Sequence, residues 1–268
     1  MSDDSTRFVG TIPADYDRLE PFMFAGHAEV FAQRVASIRP ARILELAAGT
    51  GILTRRLRDR LPATAEITAT DINPPMLAVA RGKFRPGEKV EFLEADATDL
   101  PFPDSSFDIV ACQFGIMFFP DKDKSYREAR RVLSAGGRYL FNVWDSHRYN
   151  HFGRIAHEIM AGLFPTDPPP FFRVAFGNSA IDPIKESLIN AGFTDIRIDV
   201  VSLEKDIQDP EDFAFSIVHG LPIIEQVQSR SGAAPSVVVG TLAGALRREL
   251  VATGRMRFQA ILFEARAR

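Results

Sequence analysis

The sequence predicts a doubly wound α/β fold, a largely parallel sheet with helices on both faces, and three observations carry that expectation. Short apolar strands alternate with helices from Arg42 to Trp144, a turn rich in small residues, Ala47-Ala48-Gly49-Thr50-Gly51, follows the first strand, and the carboxylates Asp71 and Asp96 follow the second and third. Such alternation implies βαβ units, whose right-handed crossovers close into a parallel sheet buried on both faces.

The elements read in order as follows. The first ten residues look frayed, and 11–26 is aromatic without a clean period, so it is expected to form an N-terminal flap. Ala28, Phe31, Ala32, Val35 and Ile38 fall at helical spacing and predict a helix ending before Pro40. Strands are expected at 42–46, 66–70, 90–93, 107–112 and 138–144, with helices at 50–61, 74–81 and 121–133 between them. Pro74 and Pro75 suit the first turn of their helix, and Gly136-Gly137 reads as a turn into the fifth strand. The alternation lapses over 145–180, where Tyr149, Phe152, Phe164, Phe171, Phe172 and Phe176 surround the stiff run Pro168-Pro169-Pro170, and this reads as an insertion. A helix over 181–191, a strand over 195–202, two or three helices between 210 and 251, and a buried strand over 256–265 complete the chain.

Composition sets the broad class. The 268 residues are 46% hydrophobic and 25% charged, as in a globular protein able to fill a core. A net charge of -3 offers no general attraction to nucleic acid or anionic lipid, which favours a small-molecule partner and no nucleic acid. The single cysteine, Cys112, forms no internal disulfide, the Met1-Ser2-Asp3-Asp4-Ser5 start is acidic, and no apolar run reaches the ~18 residues of a membrane span. A cytoplasmic protein is expected.

The turn after strand one lies where open α/β sheets bind ligands, at the carboxyl edge beside the reversal of strand order. Its small residues Ala47, Gly49 and Gly51 stand at relative positions one, three and five, whereas a dinucleotide fingerprint asks for glycine at one, three and six, and here Ile52 holds the sixth place. Glu45 ends the strand. A carboxylate there repels a pyrophosphate and attracts an ammonium or sulfonium, so the residues favour an adenosine cofactor that is cationic. Asp71 stands where a carboxylate accepts ribose hydroxyls; Ile72 and Met76 can flank an adenine face; Asp96 and Ala97 can meet the adenine edge; Gln113 can reach a methionyl chain or a substrate.

With these stretches together, Glu45–Gly51 as ELAAGTG, then TDINPPML, LEADATDLPFPDSSFDIV and ARRVLSAGGRYLF, the chain resembles the class I S-adenosylmethionine-dependent methyltransferases. More narrowly it is similar to the branch with ubiquinone and menaquinone biosynthesis enzymes and many small-molecule methyltransferases. The resemblance implies a Rossmann-like seven-stranded sheet, mostly parallel, whose last strand, 256–265, runs antiparallel beside the fifth. It implies S-adenosyl-L-methionine as cofactor and S-adenosyl-L-homocysteine as product, with Glu45 near the methionyl ammonium, Asp71 on the ribose, Asp96 and Ala97 on adenine, and Gln113 near the methionyl chain. Tyr16 matches an N-terminal tyrosine that folds over the cofactor in related enzymes. Ala47 departs from the usual glycine and is expected only to tighten the loop. The resulting organisation is one domain over 1–268, with a flap and helix at 1–40, a cofactor-binding core at 41–144, and substrate-side lid insertions at 145–180 and 203–253.

Other features have plainer readings. Asn73-Pro74-Pro75-Met76 resembles a signature of amino-methylating enzymes, but it follows strand two where that signature follows strand four, and it reads as a helix start. Cys112 reads as a small core residue. His27, His147, His151, His157 and His219 form no metal-binding spacing, so no metal is expected. His147 and His151 stand close enough to strand five to act as a base, though loop histidines are commonly surface residues. The aromatic insertion suits a lid over an apolar or aromatic acceptor. Direct displacement at a sulfonium methyl needs alignment and exclusion of water above all, and no catalytic base is assigned. The competing readings are a nicotinamide-dependent oxidoreductase and a non-catalytic S-adenosylmethionine-binding accessory protein; oligomeric state is open, with a homodimer among the options.

Overall fold

A computed structural model describes residues 8, 10–230 and 232–268. The expectation for the first ten residues falls mostly outside these, on 1–7 and 9. Seven strands, β1 (Arg42–Glu45), β2 (Glu66–Asp71), β3 (Val90–Glu94), β4 (Phe107–Gln113), β5 (Leu133–Trp144), β6 (Phe193–Lys205) and β7 (Met256–Ala267), form one sheet in the order β3-β2-β1-β4-β5-β7-β6. The first five are parallel, and β7 is inserted antiparallel between β5 and β6. β1 and β4 are central because their apolar runs, Ile43-Leu44 and Ile109-Val110-Ala111, are covered on both faces and wholly buried. The strand order reverses between them. The register sets Glu45 opposite Ala69 and Ala111, Asp71 opposite Glu94, and Gln113 opposite Asn142, so the three polar strand ends share one edge.

The crossovers are α3 (Ile52–Arg60), α4 (Pro74–Arg81) and α5 (Lys122–Val132), with α2 (Ala25–Ile38) ahead of β1 and α8 (Ile181–Asn190) ahead of β6. Asp121 caps α5 by accepting from the Lys124 N–H at 2.8 Å, which relieves one unpaired donor of the first turn. Short α1 (Ile12–Tyr16) precedes α2, while α6 (His151–Leu163), α7 (Phe171–Phe176), α9 (Pro210–His219), α10 (Ile223–Gln228) and α11 (Pro235–Thr253) lie in the later part of the chain.

The structure refines four of these readings. The stretch 11–26 is helical almost throughout: α1 passes into a 3-10 turn at Asp17–Leu19, a π turn at Glu20–Phe24 and then α2. Its buried residues, Ile12, Leu19, Met23 and Phe24, obey no single period because the helical pitch changes along it. The 145–180 insertion also contains ordered helix: Phe152, Ile155, Ala156 and Met160 bury one face of α6. Lastly, α5 gives way directly to β5 at Leu133, so Gly136-Gly137 is a bulge within the strand and not a turn before it. Phe107 pairs with Leu133 but Ile109 with Arg138; Gly136 has φ 76°, and a methyl on Gly137 would lie 2.9 Å from the carbonyl oxygens of Asp108 and Ser134. β6 is longer than expected because its charged residues, Arg197, Asp199, Glu204 and Lys205, sit on an edge strand and dilute the apolar signal.

The corner after β5 is fastened by Asn150, which is fully buried. Its Nδ2 donates to the carbonyls of Asp145 at 2.8 Å and Gln259 at 2.9 Å, and its Oδ1 accepts from the Gln259 N–H at 2.8 Å. This ties the start of α6 to β7 and so fixes where the aromatic insertion sits. Asn150→Ala leaves these groups buried without partners, and urea unfolding should register a loss of about 3 kcal/mol.

Candidate active site

A cavity of about 660 Å³ opens at the carboxyl ends of β1, β2 and β4. Nine residues singled out from the sequence line it: Tyr16, Ala47, Gly49, Asp71, Ile72, Met76, Asp96, Ala97 and Gln113. The other two are placed differently. Glu45 borders a small adjoining void of about 30 Å³, shared with Tyr16, Ala47, Gly49 and Gln113. Gly51, at φ 79°, lies outside both linings, and a methyl there would stand 3.0 Å from the Ala80 Cβ. Its smallness serves the packing of α3 against α4.

The turn takes left-handed backbone at Ala47 (φ 51°), Gly49 (φ 56°) and Gly51 (φ 79°). Glycine accepts this freely, while alanine is strained by roughly 1–2 kcal/mol. The strained Ala47 pushes its methyl toward the turn after β4, and there a side chain at Gly115 would overlap it and come within 3.0 Å of the Cys112 Sγ. The expected tightening of the loop is therefore met by a glycine on the opposite turn.

Asp71 is 6% exposed, and both its carboxylate oxygens are engaged. Oδ2 accepts from the Gly49 N–H at 2.8 Å; Oδ1 accepts from the Asn73 N–H at 2.8 Å and Nδ2 at 3.1 Å. Burial pushes its pKa up and these hydrogen bonds pull it part way back. The carboxylate is thus oriented by the glycine turn itself, with lone pairs left for further donors. Asp96 is held similarly, its Oδ1 accepting from the Thr98 N–H and hydroxyl, each at 2.8 Å. Ile72 is 57% exposed at the cavity wall, whereas Met76 is buried.

Glu45 is 2% exposed, and burial pushes its pKa up to about 8; the Thr54 hydroxyl opposes this and Asp71 adds to it. Thr54 stands beside the carboxyl without a hydrogen bond of ordinary geometry, so Glu45 Oε2 is buried unpartnered, as is Gln113 Oε1. Two orphaned acceptors beside a cavity are costly in the ligand-free protein. The Tyr16 phenol is also pushed up, by burial and then by Asp71 and Asp17, which makes it a donor and a poor base. Its ring stacks on Phe24 at 5.2 Å.

A second, much smaller pocket of about 30 Å³ meets the first, sharing Phe8, Tyr16, Phe114, Met117 and Phe118. Its walls are aromatic: Phe24, Phe114, Trp144, Phe152, Phe171, Phe172 and Phe176 contribute, with Ile217 and Leu221 from the α9 region. Phe164, grouped with them in the sequence, packs elsewhere, against Gly232. Phe114 and Trp144 were not foreseen as wall residues, although their positions at the ends of β4 and β5 gave a signal. His147 and His151 line neither cavity. His151 Nδ1 stands 2.6 Å from Glu249 Oε1, and the His147 ring packs on Phe176 and His157. Cys112 is fully buried with its thiol pushed up to about 12, the mark of an inert core residue. Among the described residues no group of three or more histidine, cysteine or acidic side chains is placed to hold a metal, and no helix is long and apolar enough to cross a membrane.

The fold and cavity define a doubly wound protein with a ligand-sized site at the carboxyl edge of its sheet, and comparison with known proteins gives the family. A methyltransferase-domain family matches residues 44–141. A ubiquinone/menaquinone biosynthesis C-methyltransferase of Laribacter hongkongensis is 32% identical over 197 residues, covering 68% of this chain and 81% of that protein. A demethylmenaquinone methyltransferase of Thermus thermophilus is 52% identical over 127 residues, 47% of this chain and 57% of the relative's length. Among solved structures, phosphoethanolamine N-methyltransferase 2 of Haemonchus contortus, in complex with S-adenosyl-L-methionine, aligns with a TM-score of 0.62 at 18% identity over 98% of this chain and 58% of that one. The chain belongs to the class I S-adenosylmethionine-dependent methyltransferases. The nicotinamide-dependent and non-catalytic alternatives receive no support from these matches.

Two outcomes follow from the geometry. Gly115→Ala should cost about 2 kcal/mol of stability by overpacking, and Ala47→Gly in the same chain should recover a large part of it; purely additive effects in the double variant would refute the contact. Glu45 titrates near pH 8 in the fold and at the ordinary carboxyl value when unfolded, so its penalty is absent below about pH 4 and grows as pH rises toward 8. Glu45→Gln cannot ionise, and its stability relative to wild type should improve by about 1 kcal/mol or more between pH 5 and pH 8 in urea titrations.

Proposed function

We propose that the protein transfers a methyl group to a small, flat, uncharged aromatic acceptor of the hydroquinone or naphthol kind. The aromatic lining where the 660 Å³ cavity runs into the 30 Å³ pocket carries this reading: the smaller pocket has to widen to admit a ring, and among the described residues that line it there is no carboxylate, imidazole or ammonium, the polar side-chain groups being the Tyr16 hydroxyl and the Trp144 indole N–H. The relatives, which are named for ubiquinone and menaquinone methylation, support the same class of acceptor for this chain.

The donor site is read residue by residue. Asp71, preset by Gly49 and Asn73, accepts the ribose hydroxyls; Ile72 and Met76 lie against adenine; Asp96 and Ala97 meet its edge. Glu45 and Gln113, whose buried oxygens are orphaned, suit the cationic methionyl end. Tyr16 closes over the site from the N-terminal segment. When bound, S-adenosylmethionine supplies a methyl carbon activated by a sulfonium. The chain's own contribution is alignment and dryness: α6 and α7 of the 145–180 segment and α9 of the 203–253 segment act as lids that exclude water around the acceptor. With the donor bound, these residues would hold the acceptor's nucleophilic atom in line with the methyl carbon, and any proton the acceptor loses would leave when the lids open to solvent. No side chain is assigned as base.

The test pairs acceptor turnover with donor binding. Release of S-adenosylhomocysteine is expected with naphthols and hydroquinones; turnover confined to aliphatic amines would overturn the acceptor reading. Asp71→Ala should weaken S-adenosylhomocysteine binding by about tenfold or more in calorimetry, and an unchanged affinity would remove the ribose role.

A further inference from the structure

Phe114 lines the cofactor cavity, the aromatic pocket and the void beside Glu45, so it stands where donor and acceptor spaces meet. Its backbone is left-handed, φ 53°, a conformation that a bulky side chain adopts only when its surroundings impose it. The agent is on the neighbouring strand. Asn142, 3% exposed, accepts the Phe114 N–H on its side-chain Oδ1 at 2.9 Å, and its backbone carbonyl shares the same donor through a longer hydrogen bond of 3.3 Å. Two residues further along β5, on the same face, Trp144 stacks on the Phe114 ring with centroids 4.0 Å apart and planes 12° from parallel. His27 braces both rings edge-on at 5.5 Å. One strand therefore supplies both the anchor for the strained backbone and the partner for its ring.

We propose that Asn142 is a positioning residue for methyl transfer. Its carboxamide holds Phe114 in the left-handed conformation that lays the ring on Trp144, and the stacked pair is the flat wall that orients the acceptor's ring toward the methyl donor. The inference rests on the reading of the aromatic pocket as the acceptor's. Without the carboxamide, the Phe114 N–H keeps only its longer bond to the Asn142 backbone carbonyl, the left-handed turn loosens and the ring shifts on Trp144, while the donor site beside Asp71 and Asp96 keeps its own hydrogen bonds. Misplacement of this order removes alignment, the main contribution that such a reaction draws from the protein.

The chain contains one tryptophan, so its fluorescence reports on this wall alone. In protein saturated with S-adenosylhomocysteine, 1,4-naphthoquinone should quench Trp144 saturably. Asn142→Leu, close in volume but without an acceptor, should weaken naphthoquinone binding by about tenfold and alter the emission of the free protein, with S-adenosylhomocysteine affinity within about threefold of wild type. Asn142→Asp, which keeps an oxygen in place, should restore both. Wild-type naphthoquinone affinity in Asn142→Leu would overturn the positioning role and leave the pocket reading intact. Absence of saturable quenching in the wild type would overturn the pocket reading and this proposal with it. Should Asn142→Leu fail to fold, Phe114→Leu keeps the backbone anchor and removes the ring; an unweakened naphthoquinone affinity there would equally refute the wall.

Discussion

The contact between two turns, Ala47 after β1 and Gly115 after β4, governs how the rest of the site is arranged. The strand order reverses between β1 and β4, so their carboxyl ends splay apart above a crevice, and the depth of that crevice depends on how closely the turns approach. Here a methyl in left-handed conformation fits into the space left by an absent side chain. The fit fixes the Gln113-Phe114-Gly115 turn against the 660 Å³ cavity. That cavity and the aromatic pocket then share a wall, and movement of one turn is felt by the other because packed interiors have little slack.

The electrostatics of the crevice follow from that closeness. Glu45 and Asp71 are both buried, and both carboxyls are pushed up chiefly by loss of water. They differ in how the fold compensates. Asp71 receives hydrogen bonds from the glycine turn and Asn73, whereas Glu45 keeps an unpartnered oxygen. A buried carboxylate without a partner is unfavourable, and on the proposed reading a cationic ligand would supply the missing partner. Glu45 is thus a destabilising feature that only a ligand of the right charge would relieve, the usual relation between stability and a charged site.

Legibility of the sequence tracked the locality of the interactions. β1 to β4, the small-residue turn and Asp71 were readable because each depends on a few neighbouring residues: apolar runs, a turn that tolerates positive φ, a carboxylate at a strand end. The antiparallel placement of β7 beside β5 came from the family resemblance, since the residues of 256–265 say only that the strand is buried. Gly51, which the sequence assigns to the ligand turn, also leaves room for Ala80, a packing role that needs the position of α4. The stretch 11–26 hid its helices because α, 3-10 and π geometry succeed one another within 13 residues, from Ile12 to Phe24. The aromatic pocket was the least legible part. Its walls come from the N-terminal helical segment, the ends of β4 and β5, α6, α7 and α9, and no local pattern says that rings so far apart in sequence converge.

That convergence also accounts for why no base was found by sequence or by geometry. A pocket walled by rings is poor at stabilising a charged base, and the phenol nearest the junction is itself pushed toward its neutral form. What such walls do well is fix the plane of a flat molecule, since stacked and edge-to-face rings each add about 1 kcal/mol with defined geometry. A displacement reaction asks for a defined approach line more than for proton transfer. The strained backbone at Phe114 fits that demand: the fold accepts a local cost of about 1–3 kcal/mol there and gains a ring whose orientation is dictated by Asn142, Trp144 and His27 together.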